Sequence, residues 1–353
     1  MNFEEVYQLV DLSQMEEKFE SLFPEWNLSF SQLFRMILEG NVQDTLFKQG
    51  KDLIHTVFLQ MDAFRYVCVT LLLIGIVSTL FMNFSNIFPK QQIADFGFQF
   101  TYLILVIFLL KVNAQVFAIA RNGMIQITEF LQVFIPSYFL AVGLSAGSAT
   151  AFGFYQVFMI AIYFVEKILI TFVLPLIGCY MILCVMNGIW EEERLGLFLS
   201  MIRKSIQTFL KVLLSMAVGS GVFQTLITPV IDTTKFNTMK KTMEAIPGIG
   251  DLADGSLQVV LSMGILLKNT MGILFIVLLV FVAAIPVLKI LCFLFAIKGC
   301  AGIMGLSADK RIIGCTNSFG DGVMLLMQTM ITSVMFFLIL ILIVTFTSNR
   351  GYL

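Results

Sequence analysis

The chain has 353 residues, of which 58% are hydrophobic and 13% charged, and its mean hydropathy is +0.93. Soluble domains carry about a quarter charged residues, so composition excludes an ordinary globular protein. The net charge of −1 hides an asymmetry: residues 1–62 hold 4 Lys/Arg against 11 Asp/Glu, whereas 63–353 hold 18 against 12. No basic patch points to nucleic acid.

The first 62 residues read as an acidic, amphipathic helical head. A helix is expected over 3–12, and Ser13 with Glu16 offers a capping-box start for the next. Pro24 breaks the pattern, after which Leu33, Phe34, Ile37 and Leu38 share a face up to Gly40. Val42, Leu46, Phe47, Leu53, Ile54, Val57, Phe58 and Met61 then keep helical spacing toward the first span. Such a head either buries its own small core or serves as a docking surface. The acidic start lacks the basic, then apolar, pattern of a secretory signal. Either the first span directs insertion, or the natural chain begins upstream.

Residues 63–353 form a multi-span membrane domain. Apolar runs at 66–83, 97–119, 123–143, 152–189, 205–230, 270–297 and 322–347 are long enough to cross a core of about 30 Å. The fold expected is therefore all-α and polytopic, with about seven (6–8) transmembrane helices. The run 152–189 holds Glu166–Lys167 and Pro175, so it is one long kinked helix or two short spans. Arg194, Arg203 and Lys204 flank one loop, and Lys298, Lys310 and Arg311 another. The positive-inside rule puts both loops in the cytoplasm and 231–255 on the opposite side.

Ionisable groups inside apolar spans are costly and mark functional positions. Lys111 lies well into the second run, beside Asn113 and Gln115, and either snorkels or faces protein. Glu166 and Lys167 are adjacent, so on a helix they point about 100° apart; they either lie in one helix or mark a turn. Lys268 and Asn269 sit where an amphipathic helix meets a span, and Lys289 follows Pro286 by one helical turn.

Enzymatic patterns are absent. There is no HExxH, GxSxG or Walker loop, and the single His leaves no imidazole acid–base chemistry in the spans. The six cysteines lack CxxC spacing or His partners, so neither a zinc site nor a disulfide framework is indicated. No cofactor, metal or catalytic residue is expected.

The most distinctive stretch is 245–272, AIPGIGDLADGSLQVVLSMGILLKNTMG. Pro247, Gly248 and Gly250 set a tight bend, and Asp251 or Asp254 caps the amphipathic helix that follows. This is either an extramembrane turn or a re-entrant, pore-lining element. IPGIGD, then LLKN-x-x-G, with Asp232 and Lys235 upstream and Pro286-x-x-Lys289 downstream, resembles the stage III sporulation protein AE family of endospore-forming Firmicutes. The DKR at 309–311 fits as well.

The resemblance implies a non-enzymatic membrane subunit of a channel-like complex joining mother cell and forespore. It would sit as a multi-pass protein in the mother-cell-derived membrane around the forespore, with other stage III sporulation membrane proteins as partners; self-association is left open. Positions matching the pattern are Pro247, Gly248, Gly250, Asp251, Lys268, Asn269, Gly272, Pro286 and Lys289. Other readings of the residues are a polytopic subunit of a conjugative or secretion apparatus and a stand-alone secondary transporter, for which an internal repeat is expected.

Overall fold

The computed structural model describes residues 13–24, 26, 28–39, 47–52, 62–85, 91–146, 148–189, 195–244, 250–306 and 309–347, with backbone alone over 221–244, 250–262 and a few helix ends. The described residues contain helices and no strand. Two short helices, α1 (Ser13–Leu22) and α2 (Phe30–Glu39), precede the long ones. Then come α3 (Asp62–Ser85), α4 (Gln91–Ala146) and α5 (Ser148–Ile168). A π turn (Leu169–Val173) leads into α6 (Leu174–Asn187), followed by α7 (Gly196–Glu244), α8 (Gly250–Met304) and α9 (Lys310–Thr347).

Five helical runs among the described residues are long and apolar enough to cross a membrane: Asp62–Phe81, Phe96–Gly143, Tyr155–Asn187, Met263–Met304 and Lys310–Thr345. The all-α membrane architecture expected from sequence is therefore present, with fewer and longer runs. The segments expected as separate spans at 97–119 and 123–143 form one continuous helix, α4. Asn122–Gly123 does not end it: an interior glycine costs only about 1 kcal/mol, and here that cost is offset by burial of Gly123 between helices. The segment expected at 205–230 lies in α7, whose side chains beyond 220 are outside the described residues.

Residues 152–189 are one helical run rather than two spans, so Glu166–Lys167 marks no reversal. Pro175 explains the irregularity after it. Proline offers no N–H and its ring crowds the carbonyl four residues back. The chain widens into a π turn just before it, and the Leu174 N–H bonds Leu169 O.

α8 forms the centre of the bundle, packed along α4 and α9, with α3 against both α4 and α8. α5 packs on α4, while α6 and α7 pack on α9. Specific contacts fix the arrangement: Tyr102 Oη donates to Val185 O at 2.5 Å, and Phe139 meets Phe158 edge-on at 5.5 Å. The outward face stays apolar. Phe100, Ile107 and Phe172 are 67%, 69% and 68% exposed, as side chains facing lipid would be.

The described head helices do not stand apart. Phe19, Phe23, Phe30, Leu33 and Phe34 are buried in the same core as the long helices. Phe30 meets Phe134 of α4 at 5.6 Å, Trp26 meets Phe281 of α8 at 5.0 Å, and Lys18 pairs with Glu129 at 2.6 Å. Glu16, expected to cap its own helix, instead caps α2, accepting from Phe30 N at 2.9 Å and Ser31 Oγ at 2.6 Å. The reciprocal capping box lies at Ser29 and Gln32. The helix expected at 3–12, Gly40, Val42, Leu46 and the apolar positions from Leu53 to Met61 lie outside the described residues, while Phe47, expected on the same apolar face, is exposed.

Helix length gives this docking a reason. The apolar run of α4 covers 48 residues, about 72 Å of helix. A tilt of 40° shortens that only to about 55 Å, against a hydrocarbon core of about 30 Å. Protein must cover the excess, and α1–α2 cover α4 around 129–134.

Candidate functional site

The middle of the bundle is built on three residues that let helices approach. A Cβ on Gly123 would stand 2.7 Å from both Pro286 Cβ and Met330 Cε, so α4, α8 and α9 meet there. Beside this crossing lies a cleft of about 270 Å³, walled by Asn122 and Gln126 of α4 and by Val282, Pro286 and Lys289 of α8, with Leu22 of α1 at its edge. Pro286 lacks an N–H, so the Val282 carbonyl loses its helical donor at the same wall. Lys289 is half-buried and lines this cleft. The arrangement is a half-buried ammonium and a freed carbonyl at a cleft whose outer wall carries two exposed carboxamides, Asn122 and Gln126, suited to admitting water or a polar solute.

Three residues along α9 from Met330, Ser333 meets Glu166 of α5, which is 2% exposed. Its Oε1 accepts from Ser333 Oγ of α9 at 2.5 Å, while Oε2 receives no hydrogen bond from protein. Lys167 points outward, donating to its own helix's Tyr163 Oη at 2.7 Å. The adjacent charges therefore do not neutralise each other. Thr329, Thr332 and Ser333 are all buried on α9, giving a hydroxyl-rich stripe at this level.

The remaining sequence candidates lie elsewhere. Lys268 is fully buried, and Asn269 has an Oδ1 that no protein donor reaches. They sit about 30 Å along α8 from Lys289, and α8 runs unbroken through them, so the expected junction of amphipathic helix and span is not a break. Gly272 is a close-approach point: a Cβ there would stand 3.0 Å from Thr345 Oγ1 and 3.5 Å from Tyr138 Cε2. Those two side chains share a hydrogen bond at 2.7 Å. Lys111 is exposed, 5.3 Å from the centre of the Tyr66 ring, while Asn113 turns inward. Gly250 and Asp251 open α8, with backbone alone described; Pro247 and Gly248 lie outside the described residues.

One cluster escaped the sequence reading. Asp321, inside α9, binds Arg203 of α7 and Lys298 of α8, each at 2.7 Å, and Lys298 also donates to Asn317 at 2.7 Å. Two cations thus share one carboxylate across three helices, which also brings the two basic groups of the chain to one end of the bundle. Its signal was Gly320-Asp321-Gly322. A Cβ on Gly320 would stand 2.9 Å from Lys298 Cε, and one on Gly322 would strike Met181. All six cysteines are free, and no metal-competent group of His, Cys, Asp or Glu occurs among the described residues.

Long apolar helices, an apolar outer face and polar groups turned into the bundle define an all-α, multi-span membrane protein. The family model for stage III sporulation protein AE matches residues 28–348, and the chain belongs to that family. It is 26% identical over 278 residues to Stage III sporulation protein AE of Bacillus subtilis (strain 168), covering 78% of this chain and 70% of that protein. No solved structure matches.

Proposed function

We propose that this chain is a non-enzymatic membrane subunit of a channel complex linking mother cell and forespore, supporting solute passage and late forespore development. It resides in the mother-cell-derived membrane around the forespore and works with other stage III sporulation membrane proteins. The observation that carries the reading is the cleft at Gly123 and Pro286, where half-buried Lys289 of α8 faces a wall that the exposed Asn122 and Gln126 of α4 open to the outside, in a chain of a sporulation family. A polar path inside a bundle needs such groups, because lone polar side chains in hydrocarbon cost several kcal/mol.

Lys289→Leu tests it, since leucine keeps the bulk and removes the charge. In sporulating cells the variant is expected to accumulate and insert normally, with reduced passage of a small fluorescent solute into the forespore and reduced spore yield. Wild-type passage and yield at wild-type protein level would remove the cleft from the mechanism. Solute uptake by proteoliposomes holding this chain alone would favour a stand-alone transporter instead.

A further inference from the structure

We propose that Glu166 is a proton-binding site inside the helical bundle, its free carboxylate oxygen holding an exchangeable proton. This goes beyond the conduit reading and does not depend on it. The argument starts from the hydrogen-bond inventory. Oε1 is served by Ser333 Oγ, and Oε2 has no protein donor, in a side chain 2% exposed. A carboxylate oxygen with no protein hydrogen bond of ordinary geometry is expensive in an apolar interior.

The neighbour on α4 sharpens the point. Thr128 lies beside the carboxyl group, and its hydroxyl also reaches Met124 O at 2.9 Å. Its hydroxyl is shared between that carbonyl and the carboxyl group, so together with Ser333 it gives Glu166 two hydroxyl neighbours and, among the described residues, no cation. A metal cation is the poorer occupant, because hard cations take about six or more oxygen ligands, and this shell offers a carboxyl group and two hydroxyls. Binding makes one O–H bond with a proton from water, and release returns it.

No charged group among the described residues forms an ion pair with Glu166. On its own helix Lys167 turns outward onto Tyr163. On α4, Arg121 is exposed and Glu129 pairs with Lys18. On α9, Asp321 lies about 18 Å along the axis from Ser333 and is bound to Arg203 of α7 and Lys298 of α8. Lys204 and Lys211 of α7 make no ion pair with it. The π turn, a feature recurrent at functional sites, begins three residues beyond Glu166.

The test uses the full-length protein in liposomes and a lipid-soluble carbodiimide, which couples to protonated carboxyl groups in apolar surroundings, with the adduct located by peptide mass spectrometry. Glu166 is expected to label, labelling is expected to fall along a single titration as pH rises, and sodium chloride in place of choline chloride is expected to change nothing. Ser333→Ala removes the hydroxyl that holds Oε1, so the dependence of its labelling on pH should differ from that of the wild-type protein. Should that variant fail to fold, the wild-type protein and Glu166→Gln compared by infrared difference spectroscopy supply the same decision: a protonated carboxyl band present in the first and lost in the second. Absence of both adduct and band overturns the proposal. Protection by sodium at constant pH overturns it in favour of a metal-cation site.

Discussion

Gly123 of α4 and Pro286 of α8 lie so close that a Cβ on the glycine would stand 2.7 Å from the proline Cβ. Contacts that short do not occur, and a proline ring in a helix has no rotamer into which to retreat. The third partner, Met330, touches only through Cε, the far end of a flexible side chain. Gly123→Ala should therefore push α4 from α8 and destabilise the protein by about 1–3 kcal/mol, read as thermal unfolding in detergent. Adding Met330→Ala should recover little of that loss. Full recovery would show that the methionine, and not the proline, was the obstacle.

Lys18 Nζ and Glu129 Oε2, 2.6 Å apart, tie the head to the middle of α4. A water-soluble carbodiimide forms an amide between an amine and a carboxylate in direct contact. Treatment of the purified protein should join the peptides carrying Lys18 and Glu129, and Glu129→Gln should abolish the product. Failure to recover this crosslink while the protein remains folded would mean that α1 does not dock on α4 in the membrane.

Asp321 holds two cations that are themselves 38% and 30% exposed at the side chain. Its replacement by Asn leaves Arg203 and Lys298 facing each other without a counter-charge. The loss should fall between that of a surface pair and that of a buried one, about 1–3 kcal/mol. Lys298→Met in the same chain should restore part of it, because one cation less then needs neutralising. Two additive losses would mean that the three residues do not act as one cluster.

Periodicity and composition settled a good deal of this protein. Apolar runs of 18 or more residues leave the backbone no way to satisfy its hydrogen bonds in lipid except as helices, so the all-α membrane class was readable from local sequence. The opposed directions of Glu166 and Lys167 were readable too, because neighbours on a helix must diverge by about 100°. IPGIGD, LLKN-x-x-G and the downstream Pro286-x-x-Lys289 were enough to point to the sporulation family that the comparison then showed.

What local sequence did not decide is where each helix stops and what meets in the interior. Asn122–Gly123 and Lys268–Asn269 look like boundaries on propensity, yet α4 and α8 pass through both, since burial against neighbouring helices outweighs a propensity cost of about 1 kcal/mol. Glu16 has the spacing to cap its own helix and caps the next one, because the loop at Pro24 folds α2 back within its reach. Asp321 looks like an edge residue until α7 and α8 bring Arg203 and Lys298 to it from 118 and 23 residues away. The Glu166–Ser333 pair likewise spans 167 residues. Such contacts depend on which faces of long helices meet, and that is set by the packing of the whole bundle rather than by any window of the chain.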